Sequence, residues 1–410
     1  MENRSLAQLV TKEPAVDWAA RLARRTRGRD GTLSAILALA NAAGIINFSG
    51  GFPDHSLFPT DALQAIMDKL LHDDASVALQ YAPSEGIAST RELLRDQIER
   101  LQGRRPDEPE LMVTSGGIDA ITLIAKSMLD PGDTVVVEEP SYVGAVTGFT
   151  GFDARVIGVP IDADGLDVAA LAEVLARGAH PKLLYTIPEH QNPTGWTLSA
   201  DRRPALVELC RRYGVLIVED VAYRELGFAA DPAPSLWSLD PDVVVQIGTF
   251  SKTFFPGVRL GWAAGPAAVI AQMVFAKQNS DQCAGALGQR LLEEFVRAGQ
   301  YEEHVARARA LYRRRAAAME SALADSLAGT PASWSHPDGG FFSWLRLPGV
   351  DTTALAAEAQ TANVAFVPGA GFFAGAPDTE HLRLSYSRVS EPDIAEGIAR
   401  LADASGLSHP

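Results

Sequence analysis

Lys252 closes an apolar run in GTFSKTFFPGVRLGW (248–262), between Ser251 and a second hydroxyl residue, with Thr249 just before and Arg259 seven residues on. The small hydroxylated neighbours leave room for an anion, and Arg259 adds positive charge on the same segment. Asp220 ends the run GVLIVED, Tyr223 follows it by three positions, and Asn192 follows KLLYTIP in PEHQNPTGW. Thr114-Ser115-Gly116-Gly117 precedes a helical pattern. Glycines there let backbone amides approach an anion closely, and a helix N-terminus favours negative charge, so the ligand expected is a phosphate. A phosphate cradle, a lysine and a buried carboxylate together meet the needs of pyridoxal 5′-phosphate (PLP). Its aldehyde condenses with a lysine amine, and its ring nitrogen stays protonated beside an aspartate. Each residue alone also has an ordinary explanation. Asn192 in N-P-T-G suits a plain turn, Asp220 suits a post-strand turn, Tyr142 suits a core, and Arg383 suits a sheet edge.

These residues fall just past predicted strands. DTVVVEE (133–139), KLLYTI (182–187), GVLIVED (214–220) and VVVQIGTF (243–250) read as buried strands. Helical patterns lie between them at 118–130, 167–178 and 199–214, the last capped by Ser199 and stopped by Gly214. Such alternation predicts a mostly parallel sheet covered by helices, in which ligands gather outside the carboxyl ends of the strands. From about residue 290 the texture changes to a long helical pattern broken near Gly299. Strand-like GGFFSWLRLPG (339–349), helical TTALAAEAQTA (352–362), VAFVPG (364–369) and HLRLSYS (381–387) follow. This reads as a smaller α+β domain. The expected division is an N-terminal arm over 1–60 that covers the site, a large cofactor-binding domain over 61–290 and a small domain over 291–410.

The composition excludes several classes. The chain has 410 residues, 47% hydrophobic and 21% charged, too long for one ordinary core and without a disordered bias. A net charge of −15 argues against a nucleic-acid surface, despite arginines at 21, 24, 25, 27 and 29 in the arm. Cys210 and Cys283 cannot form a disulfide framework, so a reducing, cytoplasmic setting is expected. MENRSLAQLV lacks the apolar core of a signal peptide, and no run is long enough for a membrane span. The eight histidines are scattered, so no metal site is expected.

Taken in order, SGGFPDHSLFP, LQYAPSEG, TSGGIDAI, EEPSYVG, QNPTG, VEDVAYREL, GTFSKTFFPGVRLGW, VPGAGFF and LRLSYS resemble the fold-type I PLP enzymes of aminotransferase class I/II. The likeness is strongest to aminoadipate/kynurenine-type and multi-substrate aminotransferases. The resemblance runs from about residue 40 onward. It implies that Lys252 carries the cofactor as a Schiff base and shuttles the proton. Asp220 pairs with the ring nitrogen, Asn192 and Tyr223 donate to the 3′-oxygen, and Tyr142 stacks on the ring. Ser115, Gly116, Gly117, Ile118, Thr249, Ser251 and Arg259 surround the phosphate. Tyr81 reaches the phosphate of a neighbouring subunit, which implies a homodimer. Arg383 grips the substrate α-carboxylate, with Gly51 and Asn192 beside it. The other lysines, at 12, 69, 126, 182 and 277, lack a comparable strand-end setting among small polar residues.

Two departures from the family pattern fall where the substrate side is expected. KQNSDQCAGALGQ (277–289) replaces a hydroxyl-rich run, and the arm reads GTLSAIL instead of carrying Ser-x-Ile-Arg. Three functions therefore stand beside one another. The first is ping-pong transfer of an amino group between an L-amino acid and a 2-oxo acid. The second is a PLP-dependent eliminase, cyclase or carbon–carbon-forming enzyme acting on S-adenosylmethionine or another amino acid. The third is a regulator on the same fold, for which the arm is short.

Overall fold

The computed structural model describes residues 17–23, 25, 44–228 and 232–407. Arg24, Arg27, Arg29 and the GTLSAIL segment lie outside the described residues.

The dominant element is an eight-stranded sheet. Its order is Leu111–Thr114, Gly261–Ala264, Val244–Thr249, Leu216–Asp220, Leu183–Thr186, Thr134–Glu139, Arg155–Asp162 and Gly165–Leu166. The five strands from Val244–Thr249 to Arg155–Asp162 run parallel, and Gly261–Ala264 is antiparallel to both its neighbours. Strand parity divides the interior. Val135, Val137, Leu183, Tyr185, Val218 and Val245 face one apolar cluster, while Val136, Leu184, Ile217 and Val244 face the other. A sheet buried on both faces explains why these strands read as continuous apolar runs. Helices cover both sides, among them Gly117–Met128, Val168–Ala176 and Arg202–Tyr213. The last begins after Asp201 and not on a Ser199 cap; it ends at Gly214 in the left-handed region, φ 67°.

Helices Ala286–Arg297 and Gln300–Leu327 are separated at Gly299, φ 70°. Beyond them lies a four-stranded antiparallel sheet in the order Ser333–Trp334, Phe342–Arg346, His381–Ser385, Val367–Pro368. VAFVPG splits between two sheets: Val364–Ala365 pairs in parallel with Ile46–Asn47, and Val367–Pro368 joins the four-stranded sheet. The chain after Asn47 is then held against this region. Phe48 donates to the carbonyl of Ala365, and Ser385 donates to the carbonyl of Phe48. Residues 48–52 are thereby led between the two sheets, where the site forms. Among the described residues no helix is long and apolar enough to cross a membrane, and no group of three metal-ligating side chains occurs.

Candidate active site

The register of the large sheet gathers the site. Thr114 and Thr249 flank the same residue, Gly261, and Asp220 lies opposite Ile247. The loop after Thr114, the turn after Thr249 and the end of Leu216–Asp220 therefore share one edge. A Cβ on Gly261 would come within 2.6 Å of the Gly248 carbonyl oxygen, so only glycine lets these segments approach.

Past Thr249 the chain turns back on itself. Thr249 Oγ1 donates to Ser251 Oγ at 3.0 Å. Lys252 Nζ donates to the Gly51 carbonyl at 2.8 Å. Burial, with the positive charges of Arg383 and Arg259, lowers the amine to about 8 against the opposing pull of Asp220. Asp220 is itself buried, and that burial raises its pKa. Tyr185 donates to its Oδ2 at 2.7 Å and the Ala222 amide to its Oδ1 at 3.1 Å, both favouring the ionised form. Tyr223 hydrogen-bonds the Asn192 side chain, and burial holds its phenol above the ordinary range. Burial raises the Tyr142 phenol likewise.

At one end of the cavity the helix Gly117–Met128 presents its first amides. Arg259 spans the gap beside them, its Nη1 donating to Ser251 Oγ at 3.3 Å and its Nη2 to the Ser115 carbonyl at 3.2 Å. Gly116, at φ 97°, has room for that guanidinium because a Cβ would lie 2.8 Å from Nη2. At the other end Arg383 is buried on strand His381–Ser385. It donates to Asn192 Oδ1 at 2.8 Å and the Ser49 carbonyl at 2.6 Å, and its Cζ stands 4.3 Å from the Phe342 ring centre. Its Nε is buried without a hydrogen-bond partner, and burial brings its pKa down to about 10.

Between these ends is a cavity of about 260 Å³ lined by Gly51, Gly117, Ile118, Tyr142, Asn192, Asp220, Tyr223, Thr249, Ser251, Lys252, Arg259 and Arg383. Three expected residues do not line this cavity: Gly116, which makes room for Arg259, Tyr81, which was expected at a neighbouring subunit's site, and Ser115. Tyr81 is 78% exposed and outside the cavity. The Ser115 side chain is turned away from it, onto Lys277 and Asp281, so only its carbonyl reaches the site, through Arg259. The segment 277–289, expected on the substrate side, lines none of this cavity; its Lys277 and Asp281 pack against the 115–119 turn. The sequence does not single out Tyr185 or Phe342, and it offers Lys277 only as a lysine without a strand-end setting. For Tyr185 a signal existed, a polar-tipped aromatic on the strand next to the one ending in Asp220. A larger cavity of about 370 Å³ shares Ala222 and Thr249 but is lined by an ion cluster, Glu189 with Arg203 and Arg224.

The donor set fits PLP. One end offers amides, hydroxyls and an arginine; the middle offers a carboxylate and an amine of lowered pKa; the other end offers an arginine with an unused N–H. Residues 43–401 match the model for aminotransferase class I and II, and the chain belongs to that family. It is 38% identical over 378 residues to the 2-aminoadipate transaminase of Thermus thermophilus, spanning 91% of this chain and 93% of that protein. It is 33% identical over 397 residues to aromatic-amino-acid aminotransferase 1 of Thermococcus litoralis, spanning 95% of each. The crystal structure of LysN, α-aminoadipate aminotransferase from Thermus thermophilus, complexed with N-(5′-phosphopyridoxyl)-L-leucine, superimposes with a TM-score of 0.89. Sequence identity there is 36%, over 96% of this chain and 99% of that one. The protein is a PLP-dependent enzyme of the type I fold that transfers amino groups. Transfer displaces the eliminase or cyclase alternative, which finds no support among these relatives.

Proposed function

We propose that this enzyme moves the amino group of L-amino acids with apolar or aromatic side chains to a 2-oxo acid, with Lys252 as the attachment and proton-shuttling residue. One observation carries this reading. A single cavity holds an amine lowered to about 8 and, across it, a buried arginine contacted by no carboxylate among the described residues. An arginine so placed is the partner a substrate α-carboxylate requires.

When bound, PLP supplies the electron sink for the bond broken at the substrate α-carbon. The chain's residues supply the rest. Gly117 and Ile118 amides, Thr249, Ser251 and Arg259 would hold the phosphate. Asp220, whose ionised form the Tyr185 hydroxyl favours against the effect of burial, would hold the ring nitrogen in its protonated form. Asn192 and Tyr223 would donate to the 3′-oxygen, with Tyr142 against the ring. Arg383 fixes the substrate carboxylate, and Lys252, released from Gly51, accepts the α-proton at its Nζ. The remaining walls, Phe52, Ile121, Val143, Ile187 and Phe342, are apolar and favour uncharged side chains.

We further propose a homodimer in which Tyr81, exposed on the single chain, reaches the neighbouring phosphate site, and a cytoplasmic setting consistent with two free cysteines. The division into an arm over 1–60, a large domain over 61–290 and a small one over 291–410 is proposed from the separation of the eight-stranded and four-stranded sheets along the chain. The test is to mix the enzyme with leucine, phenylalanine or aspartate and no acceptor. The expected result is one 2-oxo acid per active site, most readily from leucine and phenylalanine. Release of ammonia over many turnovers would overturn the assignment.

A further inference from the structure

Lys277, on helix Ala267–Gln278, is completely buried yet lies outside the cavity wall. Its Nζ donates to Asp119 Oδ2 at 2.8 Å, to both oxygens of Asp281 at 2.8 Å and to Ser115 Oγ at 3.1 Å. Asp119 Oδ2 also accepts from the Ser115 amide at 2.7 Å. Asp119 stands in the first turn of Gly117–Met128, the helix whose amides face the cavity. A carboxylate there favours the helix, but it competes with an incoming phosphate for the same positive field. Asp281 adds a second negative charge beside it. Uncompensated, the two would repel a dianion from the 116–118 turn.

We propose that Lys277 is a positioning residue for the cofactor phosphate. It ties Asp119, Asp281 and Ser115 into one cluster behind the cradle and cancels enough of their charge for the Gly117 and Ile118 amides and Arg259 to bind a dianion. Ser115 then carries the effect forward, because its carbonyl accepts from Arg259 Nη2. The inference rests on the proposed assignment of the phosphate to this end of the cavity.

The test separates phosphate binding from general integrity. The full-length chain, freed of cofactor by dialysis, is titrated with PLP and with pyridoxal, which lacks the phosphate, and the visible band is followed. K277Q is expected to weaken PLP by about tenfold or more, and pyridoxal by less than about twofold. K277Q/D281N restores the native net charge of the cluster and is expected to recover most of the PLP affinity. D281N alone is expected to bind PLP at least as tightly as the native chain. Equal weakening of both ligands by K277Q, or no recovery in the double variant, would overturn the proposal. Should K277Q fail to fold, weaker PLP binding by D281N would overturn it equally. R259Q calibrates the phosphate assignment. If it leaves the PLP-to-pyridoxal ratio unchanged, the assignment falls and this inference with it. If R259Q lowers the ratio and K277Q does not, only the role of Lys277 falls.

Discussion

Among the described residues, two lysines face inward in opposite surroundings. Lys277 meets two carboxylates and a hydroxyl, so its charge is matched and its amine is fully engaged. Lys252 meets a carbonyl, two arginines in its field and one aspartate already bonded to Tyr185. The first environment surrounds the amine with acceptors; the second makes the ammonium of Lys252 costly and brings its pKa to about 8. Reactivity here follows from incomplete pairing. Arg383 repeats the pattern at the other end of the cavity, buried with an N–H unused. The site keeps its cations short of partners, while the 115–119 turn behind it satisfies its own.

The largest test of this contrast is Lys252→Ala. We expect loss of the visible band and a fall in kcat of more than about 10⁴-fold, measured by absorbance and single-turnover 2-oxo acid formation. Retention of a borohydride-stable adduct on Lys277 would break the comparison. Next is R383Q, expected to lower kcat/KM by roughly 10²- to 10⁴-fold through loss of two charge-assisted hydrogen bonds to the substrate. Cofactor affinity should stay near native, since Arg383 is placed at the substrate end.

Third is pH. Only the neutral amine attacks an aldehyde, so the cofactor-free chain should capture PLP about tenfold more slowly per pH unit below 8 and at a constant rate above it. The folded-state pKa lies below the ordinary 10.5 of an unfolded chain. The cofactor-free protein should therefore gain stability as pH rises from about 8 to about 10.5, and carry the whole penalty below 8. Denaturant midpoints across that range check the sign. The smallest expected effect is Y185F. Removing its bond to Asp220 raises that carboxylate's pKa, so the acidic limb of the kcat profile should move to higher pH, with a loss of roughly tenfold or less at neutral pH.

Much of the frame was legible in advance. The four apolar runs became parallel strands because both faces of the sheet are covered, and Gly and Pro marked the ends where ligands gather. That Lys252, Asp220, Asn192 and Arg259 come together around one cavity was readable from position along those runs. Ser115 was misjudged because the direction of a side chain at a loop–helix junction depends on what packs behind it, here Lys277 and Asp281. The 277–289 segment was placed on the substrate side because nothing local shows which face of a helix end meets the cavity.

By itself the sequence determined which chemistry was available: a lysine, a carboxylate and a glycine-rich turn ahead of a helix at neighbouring strand ends, through local periodicity and turn residues. Only the tertiary structure decided which buried lysine is left short of carboxylate partners. Asp119 and Lys277 lie 158 positions apart, and Arg383 and Ser49 lie 334 apart. The charge state of a buried amine is set by what lies within a few ångströms in space, and partners that distant along the chain are brought together only by sheet register and helix packing.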